Sequence, residues 1–140
     1  MDLVKRYEVM IGVIKDSDDR PSLLDFGCGT AMLQEHILKT RPDRGIQYSG
    51  LDMSAKFINK ARNKYPGVDF YILDILKNPN RLKQFDYIVM NAAVADYKTS
   101  TASGKIKKNN KNINIELTPT VDILNSIRSK TPAKIIGFAL

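Results

Sequence analysis

The sequence predicts an α/β fold, an open parallel sheet with helices on both faces. Short apolar runs at 22–26, 46–51, 68–73, 85–90 and 134–139 alternate with amphipathic stretches. That alternation is the mark of parallel strands joined by right-handed helical crossovers. Three of the runs carry an acid at or near their C-terminal end, Asp25, Asp52 and Asp74, and the first runs directly into Gly27-Cys28-Gly29. At 140 residues and 43% apolar content, the chain reads as one soluble domain with a single core.

Residues 2–15 place Leu3, Val4, Tyr7, Met10, Ile11 and Ile14 at helical spacing. A polar turn, 16–21, leads into the first strand, Ser22 to Phe26, and the glycine turn then opens a helix from Ala31 to Lys39. Ile46 to Leu51 is the second strand, and Ser54 caps a helix that Pro66-Gly67 stops near Lys64. Val68 to Leu73 is the third strand, 79–84 a short helix or turn, and Phe85 to Met90 the fourth strand. After a polar stretch, 97–112, Ile113 to Leu117 alternates like an exposed strand. Pro119 starts a helix reaching Lys130, and Lys134 to Ala139 is the last strand. The expected core is Leu23, Leu24, Phe26, Leu33, Ile37, Leu51, Phe57, Ile58, Phe70, Ile72, Ile88, Val89, Ile123, Ile127, Ile135 and Phe138.

Composition narrows the function classes. No apolar run approaches the ~20 residues of a membrane span, and residues 1–19 lack the apolar centre of a signal peptide. The single Cys28 excludes an internal disulfide and points to a reducing, cytoplasmic setting. The net charge of +7 is uneven: residues 1–90 hold 14 basic and 12 acidic side chains, residues 91–140 hold 8 and 3. Much of the excess sits in Lys105, Lys107, Lys108 and Lys111, a solvated face or a loop that neutralises phosphates. No aromatic interleaving or recognition-helix pattern accompanies it, which speaks against nucleic acid.

The chemistry-bearing pattern is the glycine turn with its acids. Gly27 and Gly29 allow a sharp bend and close approach of a ligand, and the following helix offers free N–H groups to it. Asp52 lies 23 residues after Gly29, where an acid can accept from both hydroxyls of a ribose. Asp52 alone reads equally well as a helix cap. In a doubly wound sheet, however, the ends of the first three strands lie side by side at one crevice. The spacing around Gly27-Cys28-Gly29-Thr30 disfavours a nicotinamide dinucleotide. The lone His36 reads as a surface residue of the following helix, leaving no placed base.

Leu23-Leu24-Asp25-Phe26-Gly27-Cys28-Gly29-Thr30, Gly50-Leu51-Asp52-Met53-Ser54 and Phe70-Tyr71-Ile72-Leu73-Asp74-Ile75 resemble the first three motifs of class I S-adenosylmethionine-dependent methyltransferases. Phe85-Asp86-Tyr87-Ile88-Val89 is similar to their fourth strand. The resemblance implies a Rossmann-like three-layer sandwich with strand order 3-2-1-4-5, and S-adenosylmethionine or S-adenosylhomocysteine as cofactor. It implies that Gly27, Cys28 and Gly29 face the methionine part, with Asp25 nearby. Asp52 would hold the ribose, Met53 would pack on adenine, and Asp74 with Ile75 would receive the adenine amino group. The family's acceptor-binding residues after the fourth strand are not recognisable: Asn91-Ala92-Ala93-Val94 is not an Asn-Pro-Pro-Tyr type of motif.

Past Met90 a second resemblance takes over. Ala92-Ala93-Val94-Ala95-Asp96-Tyr97, Gly104-Lys105-Ile106-Lys107-Lys108, Ile115-Glu116-Leu117, Val121-Asp122-Ile123-Leu124 and Ile136-Gly137-Phe138-Ala139-Leu140 resemble phosphopantothenoylcysteine synthetase, a ligase of coenzyme A synthesis. It implies that Asp96 and Lys105 touch phosphates and that Lys105–Lys108 belongs to a flap. Gly137-Phe138-Ala139 would line a base pocket, here for a cytidine nucleotide. The strand near 113–117 would help pair two subunits; an unprotected sheet edge separately suggests a homodimer through the 105–118 ribbon. The ligase's own glycine-rich front and its Ser-Asn-x-Ser-Ser-Gly-type motif are absent, so no ligation is expected.

The chain therefore reads as a chimera, an engineered join inside one strand, with a methyltransferase-like half (1–90) and a synthetase-like half (91–140). The expected function is binding of the methyl donor without catalysis. The alternatives are an active small-molecule methyltransferase, a ligand-free scaffold that dimerises, and residual cytidine-nucleotide binding.

Overall fold

The computed structural model describes residues 2–92, 95–100, 104, 108 and 111–137. In chain order its elements are α1 (Leu3–Gly12), β1 (Ser22–Phe26), α2 (Met32–Thr40), β2 (Gln47–Leu51), α3 (Ala55–Lys64), β3 (Asp69–Tyr71), β4 (Tyr87–Met90), β5 (Tyr97–Thr99), β6 (Leu117–Pro119), α4 (Ile123–Arg128) and β7 (Lys134–Gly137). Short 3-10 turns occupy Pro42–Arg44 and Pro79–Gln84.

The main sheet has the order β3-β2-β1-β4-β7, which is the expected 3-2-1-4-5 with β7 as its fifth strand. All its pairings are parallel, with Asp25 opposite Gly50 on one side and Val89 on the other. Strand alternation sends side chains to opposite faces. Leu23, Tyr48, Phe70, Tyr87, Val89 and Ile136 meet the buried sides of α1, α2 and α3. Leu24, Phe26, Leu51 and Ile88 meet Leu82, Phe85 and Ile127 on the other face. The arrangement is a three-layer sandwich with a thick helical layer on one face and a thin one on the other.

Local chemistry fixes the helix starts. Asp2 caps α1 by accepting from the Lys5 N–H at 2.9 Å. Ser54 caps α3 through the Phe57 N–H. Each such cap contributes about 1 kcal/mol. Among the described residues, no helix is long and apolar enough to cross a membrane.

Several boundaries differ from those the sequence suggests. The helix expected from Pro119 begins only at Ile123, because Asp122 is the cap: its carboxylate accepts from the Asn125 N–H at 3.0 Å. Pro119 instead ends β6, which pairs antiparallel with β5 in a separate two-stranded ribbon. The exposed strand expected at 113–117 therefore lies later, at Leu117–Pro119. Phe57 and Ile72, expected in the core, are 44% and 43% exposed. On α3 the buried stripe runs through Ile58 and Ala61, a residue's rotation away from Phe57. β3 ends at Tyr71, so Ile72 has left the sheet. Phe138 lies outside the described residues.

Candidate functional site

The glycine turn is built by the strand beside it. The Gly27 N–H and the Cys28 N–H both donate to the Leu51 carbonyl, at 2.7 and 3.1 Å, so the end of β2 folds the turn over itself. Gly27, Gly29 and Ala31 all have positive φ, 78°, 55° and 65°. This left-handed backbone strains a side-chain-bearing residue by about 1–2 kcal/mol. At Gly27 the requirement is also spatial: a Cβ there would sit 2.5 Å from the Ala92 Cβ and 2.6 Å from its Cα. The segment leaving β4 crosses at that point, with the Asn91 and Ala92 N–H groups both donating to the Phe26 carbonyl, at 2.9 and 3.0 Å. A Cβ at Gly29 would meet nothing within 4 Å, so the turn is open on that side.

Asp52 is the residue the sequence places best. Its Oδ2 accepts from the Gly29 N–H at 3.0 Å and its Oδ1 from the Ser54 N–H at 2.8 Å. Each carboxylate oxygen has a second lone pair. The group is thus held in orientation and can still accept two further hydrogen bonds, as a vicinal diol offers. Met53 beside it is 74% exposed, a free apolar surface. Asp74 lies past the end of neighbouring β3 and caps its own turn, Oδ1 accepting from the Leu76 N–H at 3.0 Å. Ile75 is buried against Phe26 and Leu51 and belongs to the core below the crevice.

Asp25 and Cys28 are not at the surface of the crevice. Asp25 is 0% exposed. Its Oδ2 accepts from the Tyr48 hydroxyl at 2.7 Å, while Oδ1 has no hydrogen-bond partner among the described residues. Burial pushes this carboxyl up from 3.8 to about 7, against the downward pull of Tyr48 and Asn91, with the Asp52 charge adding to the rise. Asn91 lies close enough to lower the carboxyl as a hydrogen-bond donor, but the Tyr48 bond is the one with full geometry. The Cys28 thiol is buried, and burial, then Asp25 and Asp52, push it up to about 12. It is a packing group, not a nucleophile. A Cβ on Gly50 would come within 2.8 Å of its Sγ, so Cys28 fills the gap that Gly50 leaves.

Asp96 is exposed at the foot of the ribbon, its carbonyl accepting from the Thr120 N–H at 2.8 Å. Lys105 and Phe138 lie outside the described residues. His36 is half-buried, with its ring 5.7 Å from that of Tyr7. Sequence reasoning missed Tyr48 and Asn91. An alternating strand position that buries a tyrosine needs a partner for its hydroxyl, and that signal pointed to a neighbouring-strand acid. Among the described residues, no group of three His, Cys, Asp or Glu is placed to hold a metal.

An open hollow of about 580 Å³ lies at the opposite end of the sheet, between Lys15, Asp18, Asp86, Tyr87, Pro132 and Lys134. Two of its acids are engaged in structure: Asp86 Oδ2 accepts from the Ser22 N–H at 2.8 Å, and Asp18 accepts from the Tyr87 hydroxyl. Ligands of open parallel sheets bind beyond the carboxyl ends of the strands, which is the glycine-turn edge.

Residues 24–107 match the family described as methyltransferase domain. Residues 75–140 match the family described as DNA/pantothenate metabolism flavoprotein C-terminal domain. The two matches overlap across β4. Among curated proteins, "Putative methyltransferase 235L" of Invertebrate iridescent virus 6 is 32% identical over 68 residues, 49% of this chain and 24% of that protein. "Malonyl-[acyl-carrier protein] O-methyltransferase 2" of Ilyobacter polytropus is 33% identical over 82 residues, 56% of this chain and 30% of that protein. The chain thus spans under a third of the length of these relatives. Among solved structures, a TehB-like SAM-dependent methyltransferase from Corynebacterium glutamicum shares the fold. Its TM-score is 0.52 at 20% identity, over 65% of this chain and 46% of that one.

Proposed function

We propose that this chain, which belongs to the methyltransferase-domain family matched over residues 24–107, binds S-adenosylmethionine or S-adenosylhomocysteine at the crevice beyond β1, β2 and β3. The observation that carries the reading is the Asp52 carboxylate, held by the Gly29 and Ser54 N–H groups with acceptor capacity left over. The donor set fits the nucleoside of such a cofactor. Asp52 would take the ribose diol, exposed Met53 one face of the adenine, and Asp74 its amino group. Gly29 and the free N–H groups at the start of α2 would line the path toward the methionine end.

When bound, the cofactor supplies a methyl group on a positively charged sulfur. Moving it to an acceptor needs in-line placement and, for some acceptors, a base. At this edge Asp52 and Asp74 are assigned to the cofactor in this reading, Asp25 is sealed in and His36 packs on Tyr7. We therefore read the chain as a binding module without catalysis of its own. We read it also as a chimera, an engineered join whose two halves, 1–90 and 91–140, meet in β4. The overlap of the two family matches across that strand supports the join. Residence in the cytoplasm belongs to the same reading, supported by the single Cys28. Titration calorimetry with S-adenosylhomocysteine, run against Asp52→Ala, tests the binding. The absence of both heat and thermal shift at millimolar ligand would sink it.

A second reading, pairing of two copies through the ribbon, has its own support. Tyr97, Ile113, Ile115, Leu117 and Val121 are all exposed there, and a two-stranded ribbon is marginal alone. Sedimentation of the wild type against Leu117→Lys tests it; a monomer in both would remove it.

A further inference from the structure

We propose that Asp25 is a charge sensor beneath the crevice: its sealed carboxyl makes the protein discriminate a sulfonium-bearing nucleoside from its neutral thioether according to whether Asp25 is ionised. The proposal rests on the cofactor-binding reading above and concerns specificity within the same site.

The geometry is that of a group placed to feel charge without touching ligand. Asp25 is fully buried two residues before Gly27, under a turn whose far side is open at Gly29. One oxygen is satisfied by the Tyr48 hydroxyl at 2.7 Å; the other has no hydrogen-bond partner among the described residues. A lone buried carboxylate is expensive, so the acid stays protonated until something nearby favours the anion. A positive charge arriving in the crevice does that. Inside the sheet such an interaction is little screened by salt.

The groups facing Asp25 leave it as the one that titrates. From α1 comes Tyr7, raised by burial and by the Asp25 charge against the downward pull of an Asn91 hydrogen bond and of the Arg6 charge. From β2 comes Tyr48, raised well above its ordinary value by burial and by Asp25 itself. From the turn comes Cys28, pushed up to about 12 by burial. Asn91 beyond β4 carries no charge but lowers Asp25 as a hydrogen-bond donor, and Asp52 beyond β2 adds its negative field. Both tyrosines and the thiol therefore stay neutral through neutral pH. Asp25, raised by burial to about 7, changes charge there. S-adenosylmethionine carries the sulfonium and S-adenosylhomocysteine does not. Both ligands carry the amino-acid ammonium, so by linkage the extra sulfonium charge makes the first bind the Asp25 anion more strongly than the second and release more of its proton to solvent.

The test measures affinity for both ligands by calorimetry between pH 5.5 and 8.5, in buffers of different ionisation heat. The expected preference for S-adenosylmethionine over S-adenosylhomocysteine rises about tenfold more across this range in the wild type than in Asp25→Asn, a change equivalent to one unit of pKa. Titration of the ligand's own amino group is common to both proteins and cancels. Proton release attributable to Asp25, taken as wild type minus Asp25→Asn, is larger for S-adenosylmethionine than for S-adenosylhomocysteine. Tyr48→Phe keeps the acid but removes its donor, so the midpoint of the rise moves to higher pH; this keeps the test available should Asp25→Asn not fold. His36→Gln, altering the histidine packed on Tyr7, leaves the profile unchanged. Parallel profiles in wild type and Asp25→Asn, or an unmoved midpoint in Tyr48→Phe, overturn the sensor while leaving S-adenosylhomocysteine binding intact. Absence of binding by either ligand overturns the crevice reading and the sensor together.

Discussion

The Gly29 N–H donates to Asp52 Oδ2 at 3.0 Å, which ties the turn after β1 to the end of β2 across 23 positions of sequence. With the Ser54 N–H on the other oxygen, at 2.8 Å, the carboxylate is a strut as well as a binding group. Asp52→Ala removes both roles. Hydrogen bonds to a charged group contribute about 1.5–3 kcal/mol, so the variant should bind S-adenosylhomocysteine at least ~10-fold more weakly. It should also melt lower than wild type without ligand. Asp52→Asn keeps one acceptor oxygen and should fall between the two. Calorimetry and thermal melts of the three proteins check the order.

Gly27 and Gly29 should respond differently to the same methyl group. Both have positive φ, so alanine at either is strained by about 1–2 kcal/mol. Gly29→Ala should lose roughly that much, since its Cβ meets open space. Gly27→Ala must also displace Ala92, whose Cα lies 2.6 Å from the new atom. An overpacking loss of about 1–3 kcal/mol adds to the strain. Urea unfolding of the two variants should therefore rank Gly27→Ala clearly below Gly29→Ala. Equal stabilities would mean that the segment after Met90 does not pack on the turn.

Asp25 should make stability fall as pH rises. Its folded value, about 7, lies above the ordinary 3.8 because of burial. In that window the folded state keeps a proton that the unfolded state has released. The contribution is therefore complete below about pH 4 and shrinks as pH climbs to about 7, where it levels off. At 1.36 kcal/mol per unit, the change is on the order of 4 kcal/mol. Chemical denaturation of wild type and Asp25→Asn across pH 4 to 8 should show the fall in the first protein and its absence in the second.

The sheet order and the glycine turn were legible because they are local patterns: apolar runs, a Gly-Cys-Gly bend, an acid at a strand end. Asp25 shows where such reading stops. Its neighbour Tyr48 is 23 positions away, and the bond between them depends on β1 and β2 lying side by side in register. Motif position suggested a residue near the ligand; strand alternation turned it into the core. The boundary at Asp122 failed for another reason. Pro119 and Asp122 are both good helix starters, and the ribbon pairing of Pro119 with Tyr97 decided between them.

Phe57 and Leu82 offer a test of how the two faces of the sheet are covered. Both are large apolar residues within helical segments, yet Phe57 is 44% exposed and Leu82 is fully buried. Leu82 sits in the 3-10 turn that, with α4, forms the thin layer over Leu24, Phe26 and Ile88. Its carbonyl also accepts from the Thr131 hydroxyl at 2.8 Å, so the turn anchors the approach to β7. Leu82→Ala should destabilise by about 2–5 kcal/mol, the range for emptying a buried leucine site. Phe57→Ala leaves Ile58 and Ala61 in place on the buried stripe of α3 and should lose less than about 1 kcal/mol. Since Leu82 lies on the layer that joins β4 to β7, its loss should also loosen protection of the Lys134–Gly137 amides in hydrogen exchange, ahead of those in β1 and β2. Uniform loss of protection across the sheet would show instead that the thin layer and the thick one unfold as one unit.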